Sequence, residues 1–222
     1  EICSRDWSSD VCSSDLSAIF LGALLACPPK VLTKPPLSWL ALAAIIFLAI
    51  AWNVSPALPG QAPGKFYGLI FHFYGASLLT AMFGPAVALT ILFPVAFLGV
   101  HAPQGDYVIA SQQYLMVSVL PTLFAYLSIL IINRLIPKHL FVLILGNGYV
   151  AAFISVVFSG TLLLIIKVLL GEASQIDLEG WLLGLIIIAF MEGSLSGMLL
   201  AIFLIFRPHW VSTYNEETYM SR

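Results

Sequence analysis

The sequence predicts an all-α fold, a polytopic transmembrane helical bundle of about seven spans whose first span is incomplete. Three observations carry this. Mean hydropathy is +1.01, and only 9% of residues are charged, against about 25% in soluble domains. Several apolar runs approach or exceed the ~20 residues that a helix needs to cross a bilayer. Those runs do not alternate apolar and polar residues, which excludes the strands of a membrane barrel.

The opening stretch, EICSRDWSSDVCSSDL, fits none of this. It has no helical or strand period and is not a signal peptide, which would begin with Met and a basic region. DWSSDVCSSDL resembles one translated frame of a DNA sequencing adapter, so residues 1–16 are expected to be an assembly artefact. Setting them aside removes Arg5 and four of the eleven acids and moves the formal charge from −2 to +1. Cys27 is then the one remaining cysteine, which excludes an intrachain disulfide or a CxxC metal site. This balance points to no nucleic acid. The expected organisation is a transmembrane helical domain over 17–206 and a cytoplasmic tail over 207–222.

Span 1, residues 17–27, rises about 16 Å, half of a ~30 Å core, so native residues are expected to complete it. Span 2, 37–52, is bracketed by Trp39 and Trp52, read as interfacial aromatics. Span 3, 66–82, and span 4, 86–100, are joined by Gly84-Pro85 alone, which suits a tight hairpin or a re-entrant pair. Span 5 covers 111–133. Span 6, 140–170, holds Gly146, Gly148 and Gly160 and is long enough to be tilted, broken or followed by an interfacial helix. Span 7, 180–206, lies between Trp181 and Trp210 and contains the GxxxG pair Gly193 and Gly197, which lets helices approach closely. Lys30, Lys34, Arg134, Lys138, Arg207 and Arg222 fall on one side, and Lys65, Asp106, Glu172, Asp177 and Glu179 on the other. The positive-inside rule then puts the N-terminus outside and the C-terminus inside.

Ionisable groups at bilayer depth are costly and therefore candidates for function. His72 lies in GLIFHFYGASLLTAMFGP, about 9 Å below the outer end of a helical span 3. Neutral imidazole suits nickel, cobalt and zinc; a buried His bonded to a helix carbonyl is the competing reading. Glu192 lies about 18 Å down span 7, and is expected to anchor helix packing rather than share an ion with His72. Asn147 is a candidate for the same polar network. Lys167 is expected to snorkel, and His101, His139 and His209 to be solvated. Enzyme signatures are lacking: there is no HExxH and no P-loop, and Ser194–Gly197 lacks the leading Gly of an intramembrane serine motif.

GLIFHFYGASLLTAMFGPAVAL resembles the H-x-x-G-x-x-L…LGP segment of the CbiM/NikM family, the cobalt and nickel substrate-binding subunits of energy-coupling factor (ECF) transporters. MEGSLSGMLLAIFLIFRPHW is similar to that family's E-[AG]-x-[IL]-[ST] helix, and the tail RPHWVSTYNEETYM to a CbiM-like group of permeases. The resemblance implies the substrate-specific membrane component of an ECF-type ABC importer for Co²⁺ or Ni²⁺, with no covalently bound cofactor. It implies seven spans, an outward N-terminus and the bacterial cytoplasmic membrane. It also implies a transmembrane coupling subunit and cytosolic ATPase subunits as partners. The family's metal ligands are the N-terminal amine, a His at the second position and the third-span His. His72 matches the last, and the adapter-like stretch stands where the first two would be. Two other classes remain open: a proton-coupled secondary transporter using Glu192, and a non-transporting helical scaffold.

Overall fold

The computed structural model describes residues 37–54, 65–67, 69–70, 72–98, 114–137, 139–169, 171, 177–211, 213–215 and 219. Helix α1 is Leu37–Asn53. A hairpin follows, with Lys65–Phe66 (β1) paired antiparallel to Leu69–Ile70 (β2). Then come α2, Ala76–Phe83, and α3, Pro85–Leu98. Helix α4, Leu120–Leu135, is entered through a π-helical stretch, Tyr114–Val119. Helix α5, Ala151–Leu169, is likewise entered through Val142–Val150. Helix α6 is Leu178–Phe206, followed by a 3₁₀ turn at Pro208–Trp210.

Among the described residues, three continuous helical runs are long and apolar enough to cross a membrane: Tyr114–Leu135, Val142–Leu169 and Leu178–Phe206. Ser38–Asn53 and Pro85–Leu98 are shorter apolar helices. The chain is thus a helical membrane protein. Span 1 and the loops 28–36 and 101–110, with His101, lie outside the described residues. Of the alternatives for span 6, a break is not what the structure shows: the run from Val142 to Leu169 is continuous, with a change of helical pitch at Val150. A similar widening before α4 has a covalent cause. Pro121 has no N–H for the carbonyl one turn back, and its ring crowds that carbonyl.

The sequence reading of span 3 as one helix needs correction. Residues 65–66 pair with 69–70 in the hairpin, 72–75 are not helical, and within 72–83 only Ala76–Phe83 is α-helix. Aromatic residues crowd KFYGLIFHFYG and favour extended backbone. Gly75 then takes φ +72°, a left-handed conformation that ends any helix reading through it. The short α2 is the centre of the bundle. All eight of its residues are buried, and it packs against α3, α4, α5 and α6. Trp52 and Trp181 also depart from expectation, being 4% and 2% exposed rather than set at an interface. Trp52 is drawn inward because its indole N–H donates to the Phe73 carbonyl at 3.0 Å.

The tail is strapped to the C-terminal end of α2. The carbonyl of Ala81 would be served one turn later by residue 85, but that residue is proline and has no N–H. The Thr213 hydroxyl donates to Ala81 O instead, and Thr213 N donates to Met82 O at 3.3 Å. Val211 is buried beside this strap, and Tyr214 and Tyr219 stack at 5.8 Å. Thr213→Ala is therefore expected to cost about 1 kcal/mol and to lower the melting temperature in detergent by a few degrees. Thr213→Ser, which keeps the hydroxyl, should melt closer to wild type.

Candidate functional site

The non-helical segment 72–75 would expose unpaired backbone groups inside a bilayer unless protein satisfied them. Two side chains do so. Glu192, near the middle of α6 and fully buried, accepts from Tyr74 N at 2.9 Å and from Gly75 N at 3.0 Å, one bond to each carboxylate oxygen. Trp52, at the end of α1, donates to Phe73 O. The carboxylate also sits at the N-terminus of α2, where the helix dipole favours negative charge. This is how a carboxylate is accommodated in the middle of an apolar helix: it completes a break in another one.

His72 stands at the head of this segment, 7% exposed. Its ring stacks on Trp52 at 4.7 Å between centroids and meets Tyr74 edge-on at 5.3 Å. Nδ1 lies 3.3 Å from Phe73 O. With the ring proton on Nδ1 this contact is a donation, and Nε2 carries a bare lone pair. Nε2 is buried and has no hydrogen-bond partner among the described residues. A histidine that donates one ring N–H to a carbonyl and leaves the other nitrogen bare has the disposition of a metal ligand. Among the described residues there is no group of three or more His, Cys, Asp or Glu side chains that could hold an ion.

Asn147 lies apart from this constellation. Its Nδ2 donates to Asn133 Oδ1 at 3.1 Å, tying α4 to the π-helical entry of α5. Lys167 is partly exposed near the end of α5, and His139 and His209 are exposed. Glu192 and Asn147 thus serve different partners rather than one network.

Glycines set the distance between α6 and everything it carries. A Cβ on Gly193 or Gly197 would lie 3.1 Å from Tyr149 O or 3.2 Å from Tyr149 Cβ, so the expected GxxxG pair receives the entry of α5. Sequence reading missed a second pair, Gly180 and Gly184, with the same spacing. A Cβ there would lie 2.2 Å from the Tyr67 ring or 3.3 Å from Phe66. The hairpin before His72 therefore rests on the first turns of α6, and Glu192 on the same helix holds the segment after it. A cleft of about 240 Å³ between α1, α2 and α6 is lined by apolar side chains such as Leu48, Phe73, Leu78, Met82 and Phe203. It offers no ligand for an ion.

Residues 16–210 match the family described as the cobalt uptake substrate-specific transmembrane region, CbiM. The chain belongs to the CbiM family. No curated protein and no solved structure matches it significantly. CbiM chains are substrate-specific membrane components of cobalt uptake, so this is a family of transport-complex components. The match takes in His72, Trp52, Glu192 and both glycine pairs, and ends at Trp210, before the Thr213 strap.

Proposed function

We propose that this chain captures a divalent transition-metal ion, Co²⁺ or Ni²⁺, at the outer face of the bacterial cytoplasmic membrane. It passes the ion inward as the substrate-binding subunit of an ECF-type importer, with a transmembrane coupling subunit and cytosolic ATPases as partners. The observation that carries this reading is the buried Nε2 of His72, bare and unpartnered among the described residues in a CbiM-family chain. The remaining ligands would come from residues outside the described set. Imidazole nitrogen suits both ions, and the Irving–Williams order requires that geometry rather than affinity exclude copper. Both oxygens of Glu192 engage backbone N–H groups, which supports an anchoring role over that of a proton carrier.

The test is metal-dependent melting of the chain, expressed from the 5′ end of the source gene. Wild type should gain stability with the logarithm of Co²⁺ or Ni²⁺ concentration, about 2.7 kcal/mol at one hundred times Kd. His72→Ala should melt like wild type without metal and lose that gain. A His72→Ala protein that keeps the wild-type shift, or that aggregates without metal, would overturn the assignment.

A further inference from the structure

We infer that Glu192 and Trp52 are positioning residues for His72, setting the place of its Nε2 through the backbone of residues 73–75 without touching the ion. The inference rests on the proposed role of His72 as a metal ligand.

His72 is held by no helix of its own, because α2 begins only at Ala76. Its ring has one hydrogen-bonding contact among the described residues, to Phe73 O. That carbonyl is fixed by Trp52, whose indole N–H donates to it at 3.0 Å while the indole face stacks on the imidazole. One side chain thus sets both the acceptor for Nδ1 and the plane of the ring. The next two peptide N–H groups both point at Glu192. A carboxylate alone among side chains of this length presents two acceptor oxygens in one plane to two donors. A carboxamide presents one oxygen and one NH₂, which would face a backbone N–H donor to donor. From α1 and α6, then, Trp52 and Glu192 clamp consecutive peptide units directly below the ligand. Ligand bonds are about 2 Å long, so a small displacement of this segment is felt at the ion.

The experiment uses the full chain and Co²⁺ as the probe, reading both Kd and the ligand-field absorption of bound cobalt. Glu192→Gln is expected to weaken Co²⁺ at least tenfold and to change the absorption bands. Trp52→Phe keeps a ring against His72 but removes the N–H, and is expected to weaken Co²⁺ three- to tenfold. Thr213→Ala, which destabilises α2 at its other end, should leave Kd and spectrum at wild-type values; this separates positioning from a general loss of stability. If Glu192→Gln does not fold, Trp52→Phe decides alone. Wild-type Kd and spectrum in Trp52→Phe and in any folded Glu192→Gln, with binding lost in His72→Ala, would overturn this inference and leave the proposed function standing. Wild-type binding in His72→Ala would remove the proposed function itself.

Discussion

Gly148→Val is expected to destabilise the protein by about 3 kcal/mol or more, the upper end of what overpacking costs. A Cβ on Gly148 would lie 3.0 Å from the Cα of Gly197 and 3.1 Å from Leu200 Cδ2. The first of these neighbours is backbone in the middle of a helix and cannot rotate away. Alanine at 148 already forces a few tenths of an ångström, about 1 kcal/mol. Valine adds two methyl groups in a helix that restricts its χ1, and these must push the π-helical entry of α5 away from α6. Association of apolar helices in a membrane depends on close van der Waals packing, because lipid is as apolar as their side chains. Separation would also shift Glu192, which shares α6 with Gly197, off its two N–H partners. Denaturant titration in detergent micelles gives the measurement. A Gly148→Val protein within about 0.5 kcal/mol of wild type, the range of ordinary surface changes, would show that the helices do not approach as described.

Membrane class, the three long helices and the burial of His72 and Glu192 were legible in the sequence because each rests on one-dimensional chemistry. A long apolar run needs a bilayer, and an ionisable group inside it needs a reason. The interior of span 3 was not legible. Apolar residues with no polar alternation give helix and extended backbone the same hydropathy signal. What breaks the helix is the partner 117 residues away that receives the N–H of Gly75. Glu192 could be flagged as costly, but nothing along the chain says which donors satisfy it. Trp52 misled for a related reason: an aromatic at the end of an apolar run fits an interfacial belt as well as a buried clamp, and only the Phe73 carbonyl decides between them. The strap at Thr213 had a local clue in Pro85, whose missing N–H leaves the Ala81 carbonyl in need of a donor. The identity of that donor is a matter of tertiary structure.

Gly75→Ala distinguishes the two views of span 3 by the sign of its effect. Were residues 66–82 one helix, Gly75 would be an interior helical glycine, and alanine would stabilise by about 1 kcal/mol. In the structure Gly75 has φ +72°, where an L side chain costs about 1–2 kcal/mol. The new Cβ would also lie 2.6 Å from Cδ2 of Leu48, a buried core residue that would have to turn toward the cleft it lines beside Gly75. Together these give an expected loss of about 2–4 kcal/mol. A double-mutant cycle divides the two causes. In a Leu48→Ala background the contact is gone and the backbone strain remains, so Gly75→Ala should cost roughly half as much there, about 1–2 kcal/mol. A stabilising Gly75→Ala in either background would mean that the helix runs through residue 75. In that case the N–H groups of Tyr74 and Gly75 would bond within the helix, and Glu192 would lose the partners that make it a clamp on the His72 segment.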